Sequence, residues 1–467
     1  MCRGVSWALV GCWLAAGPVF AQQALDLPTA LNTALAQNRD LAQRARSMKS
    51  ADLSLASARA EFGFSLRPDG GAETTQNEDR YRYGLVMGKK FLPGTEVDAG
   101  PGVDWTESDA NSNRRTSWQV DVRQPLFRNF GALVQGEPVV QAQQRVRSAR
   151  RDYEQQKADL LLRVVEQFEN LIRLERQIIA QDASLQRLDK LYRLTKAREK
   201  QGRATRVDSL RVDLRRGEAV SRLESTRERL SSQRRDFAEL LGQPPDTVFV
   251  LESPPLLELE LPPVEDAVRL ALSNRLDYAQ ILQDYADTVR GEKIARRGLW
   301  PNLTLVARYE TYENSSDSAA VREDDVWSVG VAGDTDLNQT RERAQLGQAL
   351  LTRESARETI RIRELSITRE VQQQASAYRR ALDEMEIADR NHVIASQRAR
   401  LARRLFELGR GDNFSVTDAE EALTDAEDQR LAARAEASIA GYRYLNTVGS
   451  LIEAPADLRP NPREVPL

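Results

Sequence analysis

The chain has almost none of the residues that crosslink proteins or bind soft metals: of 467 residues, two are cysteine, one is histidine and four are methionine. Both cysteines, Cys2 and Cys12, lie at the extreme N-terminus. Residues 1–21 there carry one basic residue, Arg3, an apolar stretch from Val5 to Ala16, a helix breaker at Pro18, and Val19-Phe20-Ala21 before Gln22. This is the pattern of an export signal cleaved after Ala21. Leu9-Val10-Gly11-Cys12 also fits a lipoprotein processing site, which would leave Cys12 as a lipidated N-terminus. Cleavage after Ala21 leaves no thiol, and so no disulfide and no cysteine metal site. The few methionines also speak against a dedicated copper pathway. The lone histidine, His392, sits on a heptad seam and reads as a packing residue, since a metal centre needs several convergent ligands. No phosphate-binding glycine loop and no set of nucleophile, base and orienting residue is present. The sequence therefore points to no enzyme, no cofactor and no metal.

Long apolar runs and an excess of basic charge are missing too. Nothing after the signal approaches the roughly 18 apolar residues of a membrane helix. If the exported chain spans a membrane, it must do so as a closed β-barrel. Removing the signal removes Arg3 and no acid, leaving 66 basic against 70 acidic residues, a net of −4. Lys and Arg alternate with acids rather than forming a basic face, so no nucleic-acid partner is implied.

What is present is a duplication. Ala30, Ala34, Leu35, Asp40, Ala42 and Gln43 keep the spacing of Ala267, Ala271, Leu272, Asp277, Ala279 and Gln280, at a constant offset of 237. Each copy runs in the same order: an opening helix, a β-rich segment and a long helical hairpin. Copy one spans 22–241, with a helix from Pro28 to about Glu61, β structure over about 64–127 and a hairpin over about 132–241. Copy two spans 264–453, with a helix from about Val264 to Arg297, β structure over about 299–337 and a hairpin over about 338–450. The linker, 242–263, contains Pro244-Pro245, Pro254-Pro255 and Pro262-Pro263 and room for a short strand at Val248 to Leu251. The tail, 454–467, is Pro-rich and reads as extended or disordered.

The β segments alternate with period two. Trp118, Val120 and Val122 face one way and Gln119, Asp121 and Arg123 the other. Leu303, Leu305, Ala307 and Tyr309 oppose Thr304, Arg308 and Glu310, and Trp327, Val329 and Val331 alternate with Ser328 and Gly330. A barrel strand between lipid and a watery lumen has this pattern, as does a half-buried sheet in a soluble protein. All four tryptophans beyond the signal, Trp105, Trp118, Trp300 and Trp327, fall in or beside the β segments. Indole favours a bilayer interface, so these read as interface aromatics, with Tyr81, Tyr83, Tyr309 and Tyr312 in support. A further candidate hairpin turns around Phe91-Leu92-Pro93-Gly94-Thr95. It could enlarge a barrel or project from it.

The helices carry seams at period seven: Val164, Leu171, Ile178, Leu185 and Tyr192 in copy one, and Val371, Tyr378, Met385, His392, Ala399 and Phe406 in copy two. Sustained heptads mean coiled-coil packing rather than a globular core. Ala419, Ala426, Ala433 and Ala440 form a small-residue seam that allows close helix approach. About 65 residues at 1.5 Å each give a helix near 100 Å, the length of a rod or tube wall. Gly202 and Gly409 sit where the hairpins turn back, and Gly411 lies in the second tip. Asp208 and Asp418 follow the two tips, where an acid can also cap the next helix.

This order of parts resembles the outer-membrane efflux protein family, the TolC-like export ducts. The likeness runs from Leu25 to about Leu451. It is carried by the two Ala-Leu-rich opening helices, Trp300-Pro301-x-Leu303 before the second β segment, Gln124-Pro125-Leu126-Phe127 at the first strand-to-helix junction, and Phe406-Glu407-Leu408-Gly409 before the second tip. The resemblance implies a mainly α fold with a β membrane segment. Duplicated coiled-coil hairpins would form a periplasmic tunnel, and strands would contribute to a trimeric transmembrane β-barrel in the outer membrane. It implies a homotrimer that serves as exit duct of a tripartite efflux or type I secretion system. Its partners would be outer-membrane lipid, a periplasmic adaptor (membrane fusion) protein and an inner-membrane RND or ABC transporter. By position, Asp418 would be a constriction acid of the periplasmic aperture, with Ser415 at the other acidic position. Asp208 matches an acid that helps hold the closed state. Phe406 stands where a tyrosine can supply a hydroxyl, and Gly411 replaces a basic position beside Arg410.

The rival reading is a non-conducting periplasmic coiled-coil adaptor or envelope spacer. It accounts for the signal and heptads but not for two Trp-flanked amphipathic β segments. The transported substrate is not legible in the sequence.

Overall fold

The computed structural model describes residues 24–108, 111–316 and 319–461. The export-signal and lipidation readings, with Cys2, Cys12 and Ala21, and the last six residues of the tail lie outside them. The first copy comprises β1 (Ala24–Leu25), α1 (Leu27–Gln37), α2 (Arg39–Ala60), β2 (Phe64–Thr74), β3 (Glu78–Lys90), β4 (Glu96–Ser108), β5 (Asn111–Pro125), α3 (Ala132–Gln135), α4 (Glu137–Lys200) and α5 (Arg206–Leu240). The linker holds β6 (Val250–Leu251). The second copy comprises α6 (Val264–Asn274), α7 (Leu276–Gly298), β7 (Asn302–Ser316), β8 (Ala319–Asp334), α8 (Thr340–Glu407) and α9 (Asn413–Val448).

Each opening helix expected from the sequence is two helices. Asn38 and Arg275 adopt extended backbone, with ψ of 130° and 121°, and divide α1 from α2 and α6 from α7. Neither is a proline or glycine, and side-chain bonds accompany each break. The Asn38 amide donates to the Leu240 carbonyl at 2.8 Å, and the Arg275 guanidinium donates to Asp277 at 2.8 Å and Glu370 at 2.6 Å. Asp26 caps α1 by accepting the Thr29 N–H at 3.1 Å.

The described chain forms two compact units. One holds the described part of Met1–Asn38 with Arg163–Glu258 and Ala381–Ile439; the other holds Arg39–Leu162, Leu259–Arg380 and the described residues from Ala440 onward. In the first, β1 pairs in parallel with β6 through Ala24↔Val250 and Leu25↔Leu251, and Phe168, Phe237 and Phe249 stack in series at 6.1 and 5.8 Å between centroids. The α4 seam drifts: Val164 and Leu171 are buried, but Ile178, Leu185 and Tyr192 are only half-buried. Leu174, Gln181, Leu188 and Thr195 take over the buried row. The buried seam thus passes to the heptad row three residues on from Leu171.

In the second unit Ala267, Ala271, Tyr278, Ile367, Val371, Tyr444 and Val448 form a core beneath the second opening helices. The tail is not free where it is described. Leu458 is buried, its carbonyl accepts from Arg151 at 3.0 Å, and Arg151 also donates to Gln283 at 2.6 Å. The same unit carries one six-stranded antiparallel sheet in the order β2-β3-β4-β5-β7-β8. The hairpin around Pro93 joins this sheet, because β3 and β4 are interior strands. Its turn is held by Phe91 N–H to the Thr95 carbonyl at 2.8 Å and by Gly131 N–H to the Pro93 carbonyl at 2.9 Å, with Gly94 at φ +98°.

Candidate functional site

The register of the sheet fixes which side chains share a face. Ala99↔Val120↔Tyr309↔Trp327 and Val97↔Val122↔Ala307↔Val329 run across four strands, and Leu66↔Met87↔Ala99 continues the row to the β2 edge. The result is one apolar face over all six strands. It is openly displayed: Trp327 is 74% exposed, and Val329 and Val331 are each 62% exposed. An apolar surface of that extent needs an apolar neighbour.

Aromatic residues cross this face on a diagonal. Tyr81 pairs with Trp105, which pairs with Arg114; Trp118 lies four residues further along β5 and pairs with Thr311; Tyr309 lies two further along β7 and pairs with Trp327. Six residues over four strand steps is the path of a level ring across strands tilted by roughly 45°, given rises near 3.3 Å and spacings near 4.8 Å. Phe91, ten residues along from Tyr81, and Phe64 mark the other end of the face. Ten residues on strands so tilted rise about 23 Å, close to the height of an apolar barrel band. Trp300, 49% exposed, precedes β7 at that same end, with the Arg297 guanidinium 5.8 Å from its ring.

The opposite face is a ladder of ion pairs: Arg82 with Asp104 at 2.9 Å, Arg115 with Glu310 at 2.8 Å, Arg308 with Asp121 at 2.6 Å, and Asp98 between Arg67 at 3.0 Å and Arg123 at 2.6 Å. Arg67 and Asp98 lie on strands that are not neighbours. They meet across Gly88 of β3, where a Cβ would stand 2.8 Å from the Asp98 carboxylate. One face suits hydrocarbon and the other suits water, as in a lipid-bound barrel with a wet lumen.

The hairpin tips belong to the other unit. Gly202 and Gly409, at φ +69° and +75°, end α4 and α8. Backbone bonds from Arg203 to Arg198 and from Arg410 to Leu405 close the two turns. A Cβ on Gly411 would meet the Phe406 nitrogen at 3.1 Å, so the tight turn favours glycine there, while Arg410 is exposed. Asp208 is the third residue of α5 and part of a capping box: its carboxylate accepts the Thr205 N–H at 3.0 Å and hydroxyl at 2.7 Å, and Thr205 accepts the Asp208 N–H at 3.2 Å. Those bonds from Thr205 hold its carboxyl below the usual aspartate range. Arg211 lies 3.8 Å away. The start of α9 is capped by Asp412, which accepts the Ser415 N–H at 2.7 Å and is likewise held low.

Asp418 does not cap a helix. It lies in the second turn of α9 and is ion-paired with Arg398 of α8. Asp208 and Asp418 are thus held by different partners. The element joining the tips is Asn413, buried, whose amide donates to the Asp208 carbonyl at 3.0 Å and accepts from the Thr195 hydroxyl at 3.3 Å. Phe406 is buried against Leu191, Val212 and Val416. The Arg198 guanidinium stacks 4.1 Å from its ring and donates to its carbonyl at 2.8 Å, giving a cation–π contact at this position.

Deeper in the hairpins, Glu420 is held by Arg187 at 2.8 Å and Arg403 at 3.0 Å, with its side chain 3% exposed. His392 Nε2 lies 3.9 Å from Glu427, whose carboxyl burial pushes up while Arg187 and His392 oppose the shift. Sequence reasoning missed Arg398, Asn413, Asp412 and Glu420. Local capping spacings, Thr205-x-x-Asp208 and Asp412-x-x-Ser415, are readable in the sequence; the contacts of Arg398, Asn413 and Glu420 join residues without a local pattern.

Residues 267–443 match the family described as Outer membrane efflux protein. That stretch, which lies in the second copy, is what is similar to an outer membrane efflux protein. No curated protein matches the chain by sequence. Solved structures match its fold along nearly its whole length. The outer-membrane channel OprN is 16% identical, over 91% of this chain and 90% of that one, with a TM-score of 0.71. VceC from Vibrio cholerae is 16% identical over 91% and 96%, at 0.68, and the Campylobacter jejuni CmeC channel 11% identical over 91% and 86%, at 0.71. The fold of the chain is that of these TolC-like outer-membrane channels.

Proposed function

We propose that the chain is the passive exit duct of a tripartite efflux system, with the related type I secretion role open to the same architecture. Three copies close a barrel in the outer membrane, and their helices line a periplasmic tunnel. A periplasmic adaptor (membrane fusion) protein and an inner-membrane RND or ABC transporter load it. The observation that carries this reading is the sheet: one face apolar and exposed, the other charged, with two unpaired edges. One chain supplies six strands, fewer than the eight of the smallest lipid-embedded barrels, and open edges are not tolerated in hydrocarbon. Closure therefore needs other copies. At the tips, Asp418, Ser415, Asp208 and Arg410 are the residues proposed to shape the aperture.

The test is fractionation and crosslinking. A heat-modifiable trimer extracted from outer membranes is expected. Recovery only as a monomer, or from the soluble periplasm, would sink the reading.

A further inference from the structure

Resting on the trimeric reading, we propose that the β2 edge of one protomer pairs with the β8 edge of the next in the register Ala72↔Val329. Three six-stranded sheets then close into one eighteen-stranded barrel. Both strands are edges of the sheet, and each exposes a row of backbone donors and acceptors that lipid cannot satisfy. Strand directions alternate across the six strands, so β8 of one copy runs antiparallel to β2 of its neighbour, as closure requires.

Three observations select the register. The first is facing: apolar side chains occupy even positions on β2, such as Leu66 and Ala72, and odd positions on β8, such as Trp327 and Val329. Only registers pairing even with odd keep one continuous apolar band.

The second is tilt. Ala72 is level with Arg114 of β5 through Tyr81 and Trp105, and Val329 is level with Val122 through Ala307. The proposed register therefore advances eight residues along the strands for every six strands crossed. That is a tilt of roughly 43°, inside the usual 35–45° range. The next allowed registers give roughly 35°, at the lower edge of that range, and roughly 49°, outside it.

The third is charge. The proposed register sets Asp334 of one copy opposite Arg67 of the next on the lumen face, extending the ladder that already joins Arg67, Asp98 and Arg123. The steeper register would set Asp334 against Asp69, a like-charge pair, and the shallower one sets it against Ser65. An eighteen-stranded barrel at this tilt is on the order of 35 Å across its backbone. A pore that wide is not the selective part of the duct, which leaves restriction to the helical tips.

Paired cysteines test the register, since the chain cleaved after Ala21 has none of its own. Ala72→Cys with Val329→Cys, and Gly70→Cys with Val331→Cys as a second in-register pair, are to be oxidised with copper phenanthroline in isolated outer membranes. A covalent ladder ending at trimer is expected for both pairs, and none for Ala72→Cys with Gly333→Cys. A native trimer in which neither pair crosslinks overturns the interface. Crosslinking of Ala72→Cys with Val331→Cys instead overturns the register, and a ladder ending at dimer overturns the eighteen strands. Absence of a trimer in the unsubstituted chain defeats the channel reading itself.

Discussion

Arg398 on α8 and Asp418 on α9 form an ion pair across the second hairpin, with the Asp418 side chain still 46% exposed. The pair leaves the carboxylate accessible to solvent while anchoring it to the neighbouring helix. In the proposed trimer, three such carboxylates would narrow the tunnel and attract multivalent cations. Asp418→Asn is expected to weaken block by divalent or trivalent cations several-fold in single-channel recordings at unchanged trimer yield. Arg398→Ala should strengthen block by freeing the charge. Identical block in all three proteins would remove Asp418 from the aperture.

Thr205 and Asp208 act as one unit, so either substitution by Ala should fray the start of α5 at a cost of about 1 kcal/mol. Both variants should raise closed-state leak. Because the folded Asp208 pKa is depressed, its contribution is fully present above the unfolded value near 3.9 and is lost as pH falls through the lower folded value. Leak rising in Asp208→Ala but not in Thr205→Ala would mean that the carboxylate bridges hairpins rather than caps one.

Facing in the sheet predicts an asymmetric tolerance of charge. Trp118→Arg or Val120→Arg places a cation on the lipid face at a cost of about 2–4 kcal/mol near mid-bilayer, whereas Gln119→Arg joins the charged face. Assembled trimer in outer membranes should fall for the first two and persist for the third. Equal yields would reverse or abolish the assigned faces.

At Gly100 the backbone of β4 lies close against that of β3. A Cβ there would stand 1.7 Å from the Leu85 carbonyl oxygen, and backbone cannot give way as a side chain can. Gly100→Ala should therefore abolish heat-stable trimer. Gly102→Ala, whose Cβ would meet the Ser117 hydroxyl at 3.4 Å, should leave it intact. A stable Gly100→Ala trimer would show that the strands can separate there.

Duplication, strand facing and the helical hairpins were legible because each rests on periodicity. Trp118-x-Val120-x-Val122 announces a two-faced strand wherever it pairs, and Val164 and Leu171 announce a seam. The breaks at Asn38 and Arg275 were hidden, since no proline or glycine marks them. Arg398 and Asp418 are separated by a turn of unpredictable geometry, so their pairing leaves no trace in local spacing. Arg67 reaches Asp98 over an intervening strand, a contact that exists only because Gly88 carries no side chain. That all six strands share one sheet depends on β5 pairing with β7 across 176 intervening residues, which no local pattern encodes.

The central claim is that the assembled chain conducts. The direct measurement is current across a planar lipid bilayer after addition of purified, detergent-extracted trimer. Discrete, uniform steps are predicted, with block by multivalent cations that is weaker in Asp418→Asn. Membranes that stay silent although the trimer has inserted would contradict the account.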